Sequence, residues 1–170
     1  MSECPTLVIA GSVRPTRIAP QVAEWIAAIA RETTGRPFET VDLADWRLPM
    51  DDEPGMPQYN GGYPAALKNA IDHLFTEWAG KPALIVTFGG HGGGRGGEQL
   101  AQVCSFVKMR PLETRPALTV SRGVITGNNG QIDPATEFAA HRKDVLAALA
   151  EFAAALAARI AGDDAPVITR

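Results

Sequence analysis

The chain has few of the residues that build covalent or metal-based cores. Its 170 residues include only two cysteines, Cys4 and Cys104, and neither lies in a CxxC motif or a Cys/His cluster. We therefore predict neither a disulfide framework nor a metal site. The formal charge of −3 is mild and no long basic run is present, which argues against a nucleic-acid partner.

Long apolar runs are also missing. The strand-like runs end at Gly or Pro before they reach the length of a membrane span, and residues 1–5 lack the basic and apolar regions of a signal peptide. These features predict a cytoplasmic protein with no membrane partner. The length suits one domain, so we expect residues 1–162 to form a single domain and residues 163–170 a flexible C-terminal tail.

The remaining sequence alternates strand-like and helical patterns. Strand-like segments lie at residues 6–10, 38–43, 83–88 and 117–120. Most are short and continuously apolar, which is typical of strands buried on both faces of a parallel sheet. Helical stripes follow the strands, one from Val22 to Ile29 that is closed by Gly35, one over residues 64–78 and the last from Pro134 to about Ile160. This alternation predicts an α/β fold with a doubly wound sheet.

Three loops carry residues suited to ligand binding, and ligands of such sheets bind beyond the carboxyl ends of the strands. The first loop, residues 11–17, offers the Ser12 and Thr16 hydroxyls, the Arg14 and Arg17 guanidinium groups and the N-terminus of a helix. These groups suit a terminal phosphate. An ordinary turn with solvated arginines fits the same residues equally well.

The other two loops are rich in glycine. Residues 57–64 combine two tyrosines, an asparagine and two glycines, a surface that suits either a planar ligand or a structural turn. Seven of the ten residues from Phe88 to Gly97 are glycine, which indicates close backbone approach or a flexible hinge. Within this loop His91 is either a proton donor or a surface residue.

Several of these motifs resemble those of the NAD(P)H-dependent FMN reductase family. The resemblance covers about residues 6 to 120, and three motifs in the expected order carry it: GSVRxxR from Gly11, PQYNxGYPAALKNAID from Pro57, and GGHGG from Gly89. The glutamine after Pro57 is similar to that of the fungal NAD(P)H quinone reductases. The resemblance implies a flavodoxin-like fold and FMN as a non-covalent cofactor.

The resemblance also implies a set of site residues, but no catalytic residue, because the flavin performs the chemistry. It places Ser12, Arg14, Arg17 and Ile18 around the FMN phosphate, Gln58, Tyr59 and Asn60 along the isoalloxazine, and Gly89, Gly90, His91 and Gly92 near its pyrimidine edge. It implies NADPH or NADH as the hydride donor and a quinone or similar small molecule as the acceptor. The helix over residues 64–78 would help to form a homodimer or a higher homo-oligomer.

One departure from the family pattern affects the centre of the sheet. About thirty residues, a helix and the third strand, are missing between the LPxxDEP loop at Leu48 and the motif at Pro57. The sheet would then keep about four strands. Three arrangements would compensate for the missing strand. The strands at residues 6–10 and 83–88 could pair directly, a second chain could exchange a strand, or the site could be rebuilt. Three functions follow: a quinone reductase, an enzyme of hydrolytic or biosynthetic type without flavin chemistry, or a non-catalytic binding protein.

Overall fold

The computed structural model of the chain describes residues 4–46, 61–127 and 130–162. Its strands are β1 (Thr6–Ala10), β2 (Phe38–Asp42), β3 (Pro82–Ala83), β4 (Thr87–Gly89), β5 (Arg110–Pro111) and β6 (Ala117–Thr119). Its α-helices are α1 (Ala19–Thr34), α2 (Ala65–Asp72), α3 (Gly94–Phe106), α4 (Arg122–Thr126), α5 (Pro134–Glu137) and α6 (Arg142–Ala161). Single 3₁₀ turns occupy Leu43–Asp45, Thr76–Trp78 and Ala139–His141. Within these ranges no helix is both long and apolar enough to cross a membrane.

The strands pair in parallel, as the α/β prediction requires. β1 pairs with β2, β3 with β5 and β4 with β6. The first strand has the predicted bounds, and the second ends one residue earlier than predicted. Among the described residues no ladder joins β1 to β4, so direct pairing of the two predicted strands is not the arrangement found there.

The strand predicted at residues 83–88 is interrupted. Its ladder consists of β3 and β4, which pair with β5 and β6 in registers that differ by two residues: Ala83 is opposite Pro111, whereas Thr87 is opposite Ala117. The segment that connects β5 to β6 is two residues longer than the segment that connects β3 to β4. It leaves the ladder between Pro111 and Pro116. The prediction of one continuous strand was therefore wrong, and β5 was not predicted.

Two predicted helices are also shorter than expected. The helix expected over residues 64–78 is α2 followed by a separate 3₁₀ turn, because the Trp78 indole N–H donates to the Ile71 carbonyl (2.9 Å) and folds the chain back. The last helix breaks around Phe138 into α5 and α6. The predicted loop from Ser121 contains α4, whose first turn is capped by the Ser121 hydroxyl.

The core lies between the strands and the helices α1 and α6. Helix α1 contributes a buried stripe that includes Val22, Ile26 and Ile29, and it ends at Gly35, whose φ of 66° suits glycine. The opposite side is covered by α3, where Ala101 and Cys104 pack with Ile85.

Candidate functional site

The loop that follows β1 is backed by packed residues rather than by solvent. Ser12 is 6% exposed and is buried as deeply as Ile18 at the other end of the loop. Gly11 lies against α2, since a Cβ at this position would be 3.1 Å from the Leu67 side chain. Of the predicted phosphate residues, Ser12 and Ile18 are therefore packed near the two ends of the loop, and Arg14 and Arg17 lie between them and are half-buried.

Arg17 is fixed by two hydrogen bonds. Its Nη2 donates to Asp42 Oδ2 at 2.7 Å, and its Nη1 donates to the Arg14 carbonyl at 3.2 Å. Both side chains of the ion pair are mostly buried, with exposures of 19% and 17%. The remaining nitrogen of this guanidinium, Nε, is buried and has no hydrogen-bond partner among the described residues.

The end of α1 that faces this loop favours an anion. Its N-cap, Ile18, provides no side-chain hydrogen bond, a proline stands in the first turn, and no acidic residue is present there. The first backbone N–H groups of a helix have no partner within the helix, and they lie at the positive end of its dipole. The orphaned Arg17 Nε and the buried Ser12 add donors, so the residues fit the phosphate of FMN.

Two neighbours of the loop were not predicted from the sequence. Asp42 lies opposite Ala10 in the β1–β2 ladder, which brings its carboxylate next to the loop. Gln21 donates from Nε2 to the Gly130 carbonyl at 2.7 Å, and Gly130 packs against Thr16 and Arg17. The sequence did contain a signal for Asp42, because it lies at the end of the strand predicted next to β1 in a parallel sheet. The contact between Gln21 and Gly130 joins residues more than 100 positions apart, and the sequence contained no signal for it.

The glycine loop after β4 is tightly folded. Gly92 donates to the Gly89 carbonyl at 2.9 Å, and the Thr87 hydroxyl donates to the Gly92 carbonyl at 2.7 Å. Gly92 has a φ of 74°, and a Cβ there would lie 2.9 Å from the Ala117 carbonyl, so only glycine fits. These contacts favour the close-approach alternative for this turn. The side chain of His91 is exposed beside it.

The third predicted group, Gln58, Tyr59 and Asn60, lies outside the described residues. The segment that follows it, residues 61–64, contacts the first turn of α3. A Cβ on Gly96 would lie 2.5 Å from the Gly62 carbonyl oxygen, and a Cβ on Gly61 would lie 3.9 Å from the Arg95 guanidinium carbon. The end of the second motif is thereby joined to the glycine loop.

The first and third loops lie over a shared apolar cluster. Ala10 at the end of β1 packs with Ala19 and Ala23 of α1, and Val8 and Phe88 pack against the same cluster. The segments that follow Ala10 and Phe88 therefore leave the core from neighbouring points. The structure thus packs Ala10 and Phe88, the residues that precede the two loops, against one apolar cluster.

A groove of about 500 Å³ lies elsewhere, between α2 and α3. It is lined by Gly62, Tyr63, Ala65, Lys68, Asn69, Asp72 and Gln99. Burial raises the pKa of Tyr63, and Lys68 forms an ion pair with Asp72 that raises the pKa of the lysine. The described residues contain no cluster of three or more His, Cys, Asp or Glu suited to a metal ion.

The chain is similar in sequence to known FMN reductases. The family model for NADPH-dependent FMN reductase matches residues 54–121, which span the second motif, the glycine loop and β6. An NAD(P)H-dependent FMN reductase of Schizosaccharomyces pombe is 44% identical over 176 residues, which cover 86% of this chain and 87% of the relative. An NAD(P)H-dependent FMN reductase of Saccharomyces cerevisiae is 36% identical, and the comparison covers 60% of this chain and 74% of the relative. A relative of the same description from a Nectria species is 29% identical, over 85% of this chain and 92% of the relative.

The first comparison also bears on the shortened centre of the chain. A share of 86% of 170 residues is about 146 residues, so about 30 of the 176 compared positions have no counterpart here. This agrees with the size of the predicted deletion.

The similarity to the Schizosaccharomyces pombe protein extends over most of both chains, beyond the motifs themselves. It confirms the flavodoxin-like fold class, the oxidoreductase class, and the cofactors that the family implies, FMN and NADH or NADPH. The chain belongs to the NAD(P)H-dependent FMN reductase family.

Proposed function

We propose that this protein is an FMN-dependent NAD(P)H oxidoreductase that reduces quinones or similar small acceptors. The observation that carries the proposal is the donor set of the loop after β1: the buried Ser12, an Arg17 Nε with no partner among the described residues, and the start of α1, which no side chain caps. This donor set suits a phosphate monoester. The glycine loop follows Phe88, which packs against the same apolar cluster as Ala10, and its backbone groups would hold the flavin ring.

Each element then has a role in holding the cofactor. Ser12, Arg14, Arg17 and the first N–H groups of α1 would bind the phosphate. The glycine loop, with Gly89, Gly90, His91 and Gly92, would approach the pyrimidine edge, and Gln58, Tyr59 and Asn60 would lie along the ring. Bound FMN would supply the redox chemistry by accepting hydride from the nicotinamide and passing electrons to the acceptor. The protein positions both partners, and we assign no residue as an acid or base.

A titration of the purified protein with FMN tests the proposal. Flavin absorption that co-elutes with the protein, is bleached by NADPH or NADH and returns on addition of a soluble quinone would support it. Arg14→Ala should weaken FMN binding. A protein that binds no FMN even at high concentration would contradict the proposed function.

The alternative of a family member without flavin chemistry has one supporting observation. No ladder joins β1 to β4 among the described residues, so the strand edges that normally aim the flavin loops lack their usual support. A hydrolytic or biosynthetic enzyme, or a non-catalytic binding protein, is favoured if the titration shows a folded protein that takes up no flavin.

We further propose a homodimer or higher homo-oligomer, formed through the region of residues 64–78. Leu74 and Phe75 are 40% and 53% exposed, and Phe106 of α3 is 75% exposed beside them. They border a groove of about 380 Å³. Solution mass measured at decreasing concentration tests this, with Phe75→Glu expected to give a monomer. Strand exchange would leave a dimer that survives this substitution.

We propose that residues 1–162 form one domain of a cytoplasmic protein and that residues 163–170 form its tail. A single unfolding transition of the full chain, unchanged on removal of the tail, supports this domain assignment. Two separate transitions would contradict it.

A further inference from the structure

We propose that Asp42 is a positioning residue for the phosphate site, one that holds Arg17 in the orientation in which it can bind a phosphate monoester. The inference rests on the proposed function and deepens it. It predicts that Asp42 controls how strongly the protein prefers FMN over riboflavin, which lacks the phosphate.

The carboxylate of Asp42 is itself held from two sides. Its Oδ1 accepts a hydrogen bond from the Ala44 N–H at 3.0 Å, and its Oδ2 accepts one from Arg17 Nη2 at 2.7 Å. Its backbone is fixed by the ladder, where Asp42 lies opposite Ala10. The carboxylate is therefore a rigid anchor beside the loop.

The guanidinium can then present only part of its donor set to a ligand. One edge is held by Asp42 and by the Arg14 carbonyl, whereas Nε is buried without a partner among the described residues. A planar guanidinium fixed at one edge has its remaining N–H groups aimed in one direction. A phosphate oxygen would satisfy Nε, and a charge-assisted bond of this kind is strong in a mostly buried setting.

Simple charge balance predicts the opposite effect of Asp42. A carboxylate near a phosphate repels it, so removing the negative charge should strengthen phosphate binding if Asp42 has no positioning role. If Asp42 orients Arg17, its neutralisation should weaken phosphate binding instead. The sign of the change separates the two roles.

The substitution Asp42→Asn tests this, because asparagine keeps an oxygen for the Ala44 N–H while losing the charge that holds Arg17. We expect the dissociation constant for FMN to rise about tenfold and that for riboflavin to stay unchanged, both measured by flavin fluorescence. Asp45→Asn is the matched control, because Asp45 is an exposed carboxylate of the same turn. It should change neither constant.

A double variant shows whether the effect passes through Arg17. Arg17→Ala should weaken FMN binding, and Arg17→Ala with Asp42→Asn should bind FMN no more weakly than Arg17→Ala alone. Equal or tighter FMN binding by Asp42→Asn, or an equal loss for riboflavin, would overturn the inference. If Asp42→Asn does not fold, Asp42→Glu replaces it, because the longer side chain keeps the charge but displaces the guanidinium.

The two proposals fail in different ways. A wild-type protein that binds neither flavin overturns the proposed function, and the inference falls with it. A wild-type protein that binds FMN more tightly than riboflavin, with a ratio that Asp42→Asn leaves unchanged, overturns only the role of Asp42.

Discussion

Gly96 is the residue at which two of the ligand loops meet. It lies in the first turn of α3, directly after the glycine loop, and a Cβ there would be 2.5 Å from the Gly62 carbonyl oxygen and 3.0 Å from the carbonyl carbon. These atoms are backbone, so they cannot rotate away as a side chain would. The absence of a side chain at Gly96 sets the distance between the second motif and α3.

Gly96→Ala should therefore displace residues 61–64 or the start of α3. We expect a loss of about 1–3 kcal/mol in the free energy of unfolding, measured with urea, and weaker FMN binding. Gly94→Ala is the control, because Gly94 lies in the same turn and nothing lies within 4 Å of its Cβ position. It should change the stability by less than about 1 kcal/mol. Equal losses in the two variants would contradict the contact.

The two cysteines differ in environment. Cys104 is buried with Ile85 and Ala101, and burial raises the pKa of its thiol to about 11. Cys4 is exposed. Because the thiolate is the reactive form, Cys104 should be inert near neutral pH in the folded protein.

A thiol reagent such as dithionitrobenzoate should thus label one cysteine in the native protein and two after unfolding. Cys4→Ser should remove the rapid reaction and leave the slow one. Rapid labelling of the native Cys4→Ser variant would show that Cys104 is accessible.

At the scale of elements, a carboxylate on α6 binds the segment between β5 and β6. Glu151 accepts hydrogen bonds from the backbone N–H groups of Glu113 and Thr114 at 3.1 and 3.2 Å. These residues form the segment where the chain leaves the ladder between β5 and β6. Hydrogen bonding by the Thr114 side chain, then by the two backbone N–H groups, lowers the pKa of Glu151.

Glu151→Gln should destabilise the protein by about 1 kcal/mol at neutral pH, because the bonds to a charged acceptor are weakened. The folded pKa lies below the ordinary value of 4.5, so this stabilisation is present above that value. It is lost as the pH falls through the folded pKa. The melting temperatures of wild type and variant should therefore differ at pH 7 and converge as the pH falls through the lowered pKa of Glu151. A difference that persists in acid would contradict the assignment.

The elements also show what a sequence can predict. β1 and α1 follow from local patterns, an apolar run ending at Gly11 and a buried stripe closed by Gly35, and both were predicted. The break between β3 and β4 depends on two extra residues in a partner strand about thirty residues away. The end of α2 depends on the Trp78 indole, and the fixing of Arg17 depends on Asp42. These contacts leave no mark in the periodicity of the segments they fix, although the place of Asp42 at the end of β2 was a usable signal.

At the scale of the molecule, the two faces of the strand layer are covered unequally. Helices α1 and α6 contact each other, and α1 contacts both β1 and β2, whereas α3 contacts β4 and β5 on the other side. Leu7 and Ile9 point away from the α1 side and are 52% and 36% exposed. These two side chains leave an apolar patch on β1.

This patch should be visible as a surface property of the whole protein. The double variant Leu7→Thr with Ile9→Thr should lower the fluorescence of a bound apolar dye such as anilinonaphthalene sulfonate and reduce aggregation on heating. Its stability should change by less than about 1 kcal/mol, because both side chains are already partly solvated and threonine suits a strand. Val8→Thr is the matched control on the opposite face, where Val8 packs against the core. It should cost about 1–3 kcal/mol and leave dye binding unchanged, because it buries a hydroxyl among apolar neighbours. If the double variant were as destabilised as Val8→Thr, Leu7 and Ile9 would have to be covered in solution by another part of the protein or by a second copy.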